Sequence, residues 1–346
     1  MSTLFEPLTV RGMTVSNRIA MSPMLMYMAA EDGVARDLHL VHYGARILGG
    51  VGLVMTEVTA VLPEGRISTS DLGLWSDEHI PGLARIVDFA HEHGAKMGLQ
   101  LAHAGRKSKA QEQGVAPSAI AYEGLPVPRE LTAPEIDDIV GAYAEAARRA
   151  VAAGFDCLEL HVAHGYLLHE FLSPIANART DEYGGSLENR SRIVLRIASE
   201  IRRIVPDSMP IFVRLSAEDV VDGGISLKES SWLASQLMAE GVDLFDVSTG
   251  NIVPGYEAPV YPGYQANYAL DLKKELGVMT AAMGSISSPE LAEYLVSSGA
   301  ADLVFVGRAL LRDPHWALGA ARLAGADPHL AIPTYARATG PYERGF

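Results

Sequence analysis

Short apolar runs alternate with longer amphipathic stretches from one end of the sequence to the other, and this alternation constrains the fold most. Eight runs are continuously apolar, which is typical of strands covered on both faces of a parallel sheet. They span residues 19–24, 52–61, 96–105, 156–165, 210–217, 243–250, 278–286 and 301–310. Eight strands that alternate with helices predict an α/β fold closed into a (β/α)8 TIM barrel.

Helical patterns occupy several of the intervals, and their ends carry typical capping residues. The stretch 134–154 begins with Pro134 and acidic residues and ends at Gly154, which suits the chemistry of helix starts and ends. Further helices are predicted within 78–94, 226–241 and 288–299. Three times a helix is followed by a glycine, one or two residues and a strand, as expected for repeated α/β units.

We expect a single domain over residues 1–346, because no Pro-, Gly- or Ser-rich linker divides the chain. The opening segment, 5–19, has the pattern of an N-terminal hairpin that would close the bottom of the barrel. Residues 123–134 and 166–190 form long excursions after the third and fourth strands. Such βα loops are where barrels of this kind build their sites.

The composition excludes several classes of protein. A formal net charge of -14 and the lack of a Lys/Arg block argue against a nucleic-acid partner. The single cysteine, Cys157, leaves no internal disulfide and no multi-cysteine metal or iron–sulfur site, and its pattern predicts a small buried residue. The N terminus lacks a secretory pattern, and the uncharged run 47–56 is too short to span a bilayer. We therefore expect a cytoplasmic protein without membrane contact.

Polar side chains and glycines collect where the predicted strands end. They are Ser22, Tyr27, Glu57, Gln100, His103, Arg106, Lys107, His161, His164, Tyr166, Arg214, Ser248, Gly284, Gly307 and Arg308. Many of these groups are costly to bury without partners, and the carboxyl ends of the strands form the catalytic face of a TIM barrel. The sequence therefore predicts a site at this face.

Gly284, Gly307 and Arg308 follow the seventh and eighth strands. Backbone N–H groups at these two loops are the usual phosphate cradle of a TIM barrel, and Arg308 would add a cation. A phosphorylated ligand, or a cofactor with a phosphate tail, is therefore expected. The alternative for each glycine alone is tight packing at a turn.

Gln100 and Arg214 lie on the third and fifth strands. An inward amide carries both a donor and an acceptor and so suits a ring imide. An inward arginine needs an anionic or electron-rich partner, and its own segment offers no obvious carboxylate. A salt bridge from Arg214 to Glu57 or Glu218 is the alternative to a ligand contact.

His161, His164 and Tyr166 follow the fourth strand within six residues. Two imidazole N–H donors could hold one carbonyl oxygen and stabilise the charge that develops on it. The phenol is then a suitable proton donor to the neighbouring carbon. The spacing of the histidines also fits a metal pair, but no third ligand is evident and we expect no metal. A histidine in the core is the alternative for either one alone.

Motifs over nearly the whole chain are similar to those of a known family. They are SPMLMY, QLAHAGRK, HVAHGYLLHEFLSPIANARTDEYGGSLENR, VRLSAED, FVGRALLRDP and the terminal YERGF. On these motifs the chain resembles the Old Yellow Enzyme family of FMN-dependent ene-reductases, and within it the bacterial, thermophilic-like class. The resemblance implies a (β/α)8 barrel with non-covalent FMN at its carboxyl-end face.

The resemblance also implies roles for individual residues. The residues implied to contact FMN are Ser22, Pro23, Met24, Leu25 and Val58 beside the ring, Gln100 and Arg214 at its pyrimidine end, and Gly284, Gly307 and Arg308 at the phosphate. His161 and His164 would hold the carbonyl oxygen, Tyr166 would supply the proton, and Tyr27 and Leu25 would line the substrate pocket. Arg344, in a tail from about 330 to 346, would reach a neighbouring active site, which implies a homodimer or homotetramer.

The function implied is NAD(P)H-dependent reduction of an activated alkene. NADPH or NADH would reduce FMN, N5 would then deliver hydride to Cβ of an enone or enal, and Tyr166 would protonate Cα. Leu25 departs from the cysteine common at this position, so a desaturase that passes hydrogen from a saturated cyclic ketone to O2 stays open. Arg36, Asp37 and Leu38 depart from the Thr-Pro-aromatic often found there. A metal-dependent TIM-barrel aldolase or isomerase using both histidines is a more distant alternative.

Overall fold

Eight parallel strands close into a barrel in the computed structural model, which describes residues 2–255 and 259–326. The strands of the described chain are β1 (Leu8–Val10), β2 (Met13–Val15), β3 (Ile19–Met21), β4 (Leu53–Ala60), β5 (Leu72–Gly73), β6 (Lys96–Ala102), β7 (Val115–Ala116), β8 (Arg129–Glu130), β9 (Cys157–Val162), β10 (Ile211–Ser216), β11 (Leu244–Ser248), β12 (Met279–Ala282) and β13 (Leu303–Val306). The barrel runs β3-β4-β6-β9-β10-β11-β12-β13 and closes where β13 pairs with β3. The predicted (β/α)8 architecture is confirmed.

Helices follow the barrel strands. They are α1 (Asp37–Leu48), α2 (Ile80–Glu92), α3 (Ala133–Ala152), α4 (Leu167–Leu172), α5 (Leu187–Ile204), α6 (Leu227–Ala239), α7 (Ala266–Leu276), α8 (Pro289–Ser297), α9 (Arg308–Arg312) and α10 (Trp316–Leu323). The four helices predicted from sequence correspond to α2, α3, α6 and α8. At the start of α3, the Thr132 N–H donates to the Glu135 carboxylate at 2.8 Å, which satisfies a backbone donor that the helix cannot.

Helix α1 and the carboxyl ends of the strands are harder to predict from the sequence, each for a physical reason. Helix α1 buries His39, His42 and Arg46 but exposes Leu38 and Val41, so its apolar pattern does not mark its buried face. The predicted strands also run several residues too far, because the small and apolar residues after each strand continue its pattern. The last one ends at Val306 rather than at 310, where the chain turns into α9.

The N-terminal hairpin closes the amino-end mouth of the barrel, as expected. Strands β1 and β2 pair antiparallel, and their apolar side chains join one cluster with the first inward residues of the barrel. Each such buried Leu, Val or Met contributes roughly 1.5–3 kcal/mol. The interior is filled to contact, since a Cβ on Gly98 would lie 2.2 Å from Met55 Sδ and 2.7 Å from Cys157 Sγ. Cys157 is fully buried, as predicted.

Three neighbouring strands change character along the barrel axis. Because inward side chains recur at every second residue of a strand, each strand shows an apolar residue at the bottom, then a charged one, then a polar one near the mouth. These sets are Cys157, Glu159 and His161 on β9, Phe212, Arg214 and Ser216 on β10, and Leu244, Asp246 and Ser248 on β11. The chemistry is thus carried by rigid strands above an apolar floor.

Two long βα excursions cover the carboxyl-end face. One runs from β6 to α3 and contains β7 and β8, and the other runs from β9 to α5 and contains α4. Helix α5 was partly hidden in the predicted excursion at 166–190, and it begins where Ser186 Oγ accepts from the Asn189 N–H at 3.3 Å. In the described part of the chain, no helix combines the length and apolarity that a membrane crossing requires.

Candidate active site

A cleft of about 490 Å³ opens at the carboxyl ends of the strands. This volume falls in the range of small-molecule and cofactor sites, roughly 300–1,000 Å³. Nine residues that the sequence places at the site line it: Ser22, Pro23, Met24, His164, Arg214, Ser248, Gly284, Gly307 and Arg308. The fold therefore brings residues from distant parts of the sequence together around one cleft.

One end of the cleft has the features expected of a phosphate cradle. Gly284 has φ +101°, and a Cβ there would lie 3.0 Å from both Gln265 Oε1 and the Tyr264 ring. A Cβ on Gly307 would lie 3.3 Å from Met24 Sδ. Arg308 lines the same end and donates from Nη2 to Ser285 Oγ at 2.8 Å. Exposed backbone and a guanidinium beside it suit an anion.

Arg214 pairs with carboxylates that its own segment does not contain. Its Nε and Nη2 both lie 2.5 Å from Asp246 Oδ2, and its Nε lies 4.0 Å from Glu159 Oε1. Nη2 also donates to Ser22 Oγ at 2.9 Å. The alternative of a salt bridge to Glu57 or Glu218 is therefore wrong. The partners are supplied by neighbouring strands, which proximity in sequence does not reveal.

Gln100 has a buried acceptor atom that receives no hydrogen bond from the described residues. Its Nε2 donates to Glu159 Oε1 at 2.6 Å, while its fully buried Oε1 has no partner among the described residues. An orphaned buried acceptor is costly, and a ring imide N–H would satisfy it. This orphan, the guanidinium of Arg214 and the glycine cradle together fit the ring and the phosphate of FMN.

His161 and His164 lie side by side at the mouth of β9. His161 Nε2 is 3.2 Å from His164 Nδ1, and the ring centroids are 5.0 Å apart at 75°. His161 Nδ1 accepts from the Ala163 N–H at 3.3 Å, so the proton of that ring belongs on Nε2. The two nitrogens that face each other are those that would have to share a ligand oxygen.

Both imidazoles are held neutral. Burial first, and neighbouring positive groups second, lower the pKa of His161 and of His164 well below the usual value. His164 Nε2 lies 2.7 Å from Ser248 Oγ, which also accepts from Gln265 Nε2 at 3.1 Å. Because Ser248 Oγ already accepts a hydrogen bond from Gln265, its O–H can donate to His164 Nε2, which would leave Nδ1–H of His164 as a second donor beside His161.

Tyr166 stands next to this pair on an apolar wall. Its ring meets the His161 ring edge-on at 4.9 Å between centroids. It packs with Leu25, Val58 and a small cluster that also contains Ile67, Ala102 and Ala104. Burial is the largest cause that raises the pKa of Tyr166 above its usual value. The phenol is therefore protonated at every working pH, as a proton donor must be.

Tyr27 lies at the outer edge of the site. It is 54% exposed and has φ +54°, a left-handed conformation that is uncommon for a residue with a bulky side chain. Burial, followed by the charges of Asp71 and Glu57, raises its pKa above the usual value.

A strained turn holds the histidines and Tyr166 in place. His164 has φ +60° and Gly165 has φ +68°. A Cβ on Gly165 would lie 2.4 Å from Asn251 O and 3.0 Å from Lys107 Nζ, so only glycine fits. Lys107 Nζ donates to His164 O at 2.7 Å and to Asn251 O at 2.8 Å, which ties this turn to the loop after β11. Burial lowers the pKa of Lys107 to about 8.

Sequence reasoning missed part of this arrangement. Glu159 and Asp246 were passed over because they sit inside strands rather than at strand ends. Reading each strand in steps of two, backwards from His161 and from Ser248, would have found both. Lys107 and Ser248 stand at predicted strand ends, but the sequence indicates no role for either. Arg344 and the predicted tail lie outside the described residues.

The described residues contain no group of three or more His, Cys, Asp or Glu side chains placed to hold a metal ion. His164 Nε2 also lies 2.7 Å from Ser248 Oγ.

Comparison with known proteins agrees with this site. A family model described as the NADH:flavin oxidoreductase / NADH oxidase family matches residues 3–323. The chain is 47% identical over 345 residues to an NADPH dehydrogenase of Geobacillus sp. (strain WCH70). The alignment covers 99% of this chain and 98% of that relative.

Solved structures show the same barrel. Morphinone reductase superposes with a TM-score of 0.80 at 28% identity, over 99% of this chain and 94% of that chain. The 2-naphthoyl-CoA reductase in complex with 2-naphthoyl-CoA gives a TM-score of 0.89 at 28% identity over 94% of this chain, which spans 52% of that longer chain. The protein therefore belongs to the NADH:flavin oxidoreductase / NADH oxidase family and is an FMN-dependent NAD(P)H oxidoreductase.

Proposed function

We propose that the protein reduces the C=C bond of α,β-unsaturated ketones and aldehydes with electrons from NADPH or NADH. One observation carries the proposal: two neutral imidazoles, His161 and His164, meet at 3.2 Å beside a partly buried phenol, Tyr166, at the mouth of the cofactor cleft. Two donors that share an oxygen, with a proton donor beside them, are what conjugate reduction of a carbonyl compound requires.

Each group has a part in this scheme. When bound, FMN supplies hydride transfer, from the nicotinamide and then to Cβ of the alkene. The residues that would hold it are Gln100 and Arg214 at the pyrimidine end and Gly284, Gly307 and Arg308 at the phosphate. Ser22, Pro23, Met24, Leu25 and Val58 would lie along the ring.

The histidines would bind the carbonyl oxygen. Each neutral ring can offer one N–H to it, His161 from Nε2 and His164 from Nδ1, because Ser248 can donate to His164 Nε2. Donors that are already placed where charge develops are worth about 2.7–4 kcal/mol each in the transition state. Tyr166 would then protonate Cα, since its pKa is raised and its proton is retained until that step.

The substrate pocket is apolar on the side of Leu25, which, like Tyr166, packs against the cluster that contains Val58. An isobutyl group in place of a thiol offers no hydrogen bond to the ring or to the substrate. We expect a drier pocket and a shifted FMN potential. Tyr27 would form the outer wall of this pocket.

An anaerobic titration tests the proposal. NADPH is expected to bleach the FMN absorption, and cyclohexenone is then expected to restore it. The desaturase alternative predicts instead that saturated cyclohexanone bleaches the oxidised enzyme and that O2 restores the colour. Failure of cyclohexenone to reoxidise the reduced enzyme would contradict the proposal.

We also propose a homodimer or homotetramer in the cytoplasm, in which Arg344 reaches the neighbouring active site. The support is the resemblance of the terminal YERGF motif. Sedimentation of the wild-type protein and of Arg344→Ala, together with the KM for cyclohexenone, tests this arrangement. A monomer with unchanged kinetics in Arg344→Ala would refute it.

A further inference from the structure

A layer of buried charge lies inside the barrel, directly below the cofactor cleft. It consists of Gln100, Glu159, Arg214 and Asp246 on four consecutive strands, each at most 3% exposed. We call it the charge layer. It contains one guanidinium and two carboxyl groups. If the guanidinium pairs with one carboxylate, the other carboxyl group has no cation of its own.

The two carboxyl groups are not equivalent. Asp246 has two 2.5 Å contacts with the guanidinium of Arg214, whereas Glu159 lies 4.0 Å from it and is otherwise bonded to the neutral amide of Gln100. Glu159 Oε2 and Asp246 Oδ1 have no partner among the described residues. Asp246 is thus placed to carry the negative charge, and Glu159 is placed to carry a proton.

The electrostatics follow from this placement. Two ionised carboxylates beside one guanidinium, away from water, would leave an uncompensated buried charge. Burial raises the pKa of Glu159 to about 8, and burial also raises the pKa of Asp246, which Arg214 opposes. Near neutral pH the charge layer is balanced by a single proton.

A new negative charge at Arg214 would disturb this balance. Hydride transfer to FMN adds two electrons and one proton, so the ring gains a net negative charge. In the proposed placement the pyrimidine end of the ring lies against Gln100 and Arg214, and Arg214 is the group that would share that charge. Arg214 would then stabilise the carboxylate of Glu159 less.

We propose that Glu159 is a positioning residue that couples proton uptake to FMN reduction. Above the pH at which Glu159 ionises in the oxidised enzyme, reduction of FMN draws one additional proton from solvent onto Glu159. The balance is one hydride to the ring and one solvent proton to the carboxylate. The inference rests on the proposed placement of FMN and does not depend on which alkene is reduced.

The surroundings allow this coupling to be isolated. The titratable groups near the Glu159 carboxyl are Arg214, Asp246, Cys157 and His161. Burial raises the pKa of Cys157 well above its usual value and lowers that of His161 well below its usual value, so both move away from pH 8. Beyond the neighbouring strand β6, β4 carries a buried carboxylate, but Glu57 faces away, towards Tyr43 of α1 and the Met26 N–H.

Spectroelectrochemistry of the holoenzyme from pH 6 to pH 10 tests the proposal without any substrate. The slope of the midpoint potential against pH counts protons per two electrons. The wild type is expected to take up one proton per two electrons below about pH 8, and this number is expected to approach two above that pH. Glu159→Gln is expected to take up one throughout and to match the wild-type potential at low pH.

A matched control and a second variant complete the test. Glu170 is another fully buried glutamate whose pKa burial raises to about 8, but it accepts from the Arg106 N–H and does not contact Arg214. Glu170→Gln is therefore expected to keep the wild-type break. Among the described residues, Asp246→Asn leaves Glu159 as the only carboxyl paired with Arg214, so the break is expected to move to lower pH.

Two results would overturn the proposal. One is a wild-type slope of one proton per two electrons across the whole range, and the other is a break that persists in Glu159→Gln. If Glu159→Gln does not fold, Asp246→Asn provides the test. A slope change that stays at the wild-type pH in Asp246→Asn would also refute the proposal. If the enzyme shows these slopes but does not turn over enones, the proposed alkene reduction is contradicted and the proton coupling at Glu159 is not.

Discussion

Replacing Gly165 with alanine should disable the site while leaving the barrel folded. Gly165 lies between His164 and Tyr166 in left-handed conformation, with φ +68°. The added methyl carbon would lie 2.4 Å from Asn251 O and 3.0 Å from Lys107 Nζ. Either the turn moves or the loop after β11 and the lysine move, and each change displaces the histidines or the phenol.

The magnitude has two parts. A left-handed conformation costs alanine about 1–2 kcal/mol relative to glycine. An ordinary contact to a carbonyl oxygen needs about 3.3 Å, so the turn must shift by close to 1 Å. A displacement of about 1 Å of catalytic groups can lower the rate ~10²-fold. We therefore expect Gly165→Ala to lose about two orders of magnitude in kcat/KM for cyclohexenone.

Gly94→Ala is the matched control. Gly94 has φ +74°, but a Cβ there would meet no atom within 4 Å. It should show the same loss of about 1–2 kcal/mol in unfolding free energy with unchanged kinetics. The assays are steady-state kinetics, binding of a phenol to the oxidised enzyme, and denaturant unfolding. If Gly165→Ala binds the phenol and turns over cyclohexenone within twofold of wild type, the reasoning about this turn is wrong.

Three further predictions concern single groups. Tyr166→Phe should slow alkene reduction by about 10²–10⁴-fold and leave FMN reduction by NADPH nearly unchanged, because only the former needs its proton; stopped-flow traces that show equal slowing of both would refute that role. Leu25→Cys should shift the FMN midpoint potential by placing a thiol beside the ring, and an unchanged potential would refute the expectation. Glu170→Gln should gain stability over wild type as pH rises from about 4.5 to 8, by about 1.4 kcal/mol per unit, because the native carboxyl holds a proton that the unfolded chain has released; urea unfolding at pH 5 and pH 8 with no change in the difference between the two proteins would contradict it.

The architecture was predictable because it depends on pattern. Eight apolar runs and their helices indicated a closed parallel barrel, and the hairpin followed from its own short alternation. Helix α1 escaped because Leu38 and Val41 point to solvent while His39 is buried. The direction of a side chain in such a helix is decided by tertiary contacts that a hydropathy pattern does not contain.

The site was predictable at its rim and less so in its interior. Polar residues at strand ends, such as His161 and Arg214, stand out because apolar runs stop there. Glu159 and Asp246 do not, because the barrel brings them to Arg214 from separate strands. The bond between His164 and Ser248 joins residues 84 positions apart and likewise depends on closure of the barrel.

The most direct test of the account is single-turnover reoxidation of the NADPH-reduced enzyme by cyclohexenone, measured anaerobically for wild type and for His161→Ala. We predict full recovery of the oxidised FMN spectrum in wild type. In His161→Ala we predict reoxidation slower by about 10²–10³-fold, as for loss of one oxyanion donor, with FMN reduction by NADPH nearly unaffected. A wild-type enzyme that cyclohexenone does not reoxidise, or a variant that reoxidises at the wild-type rate, would contradict the paired-histidine mechanism.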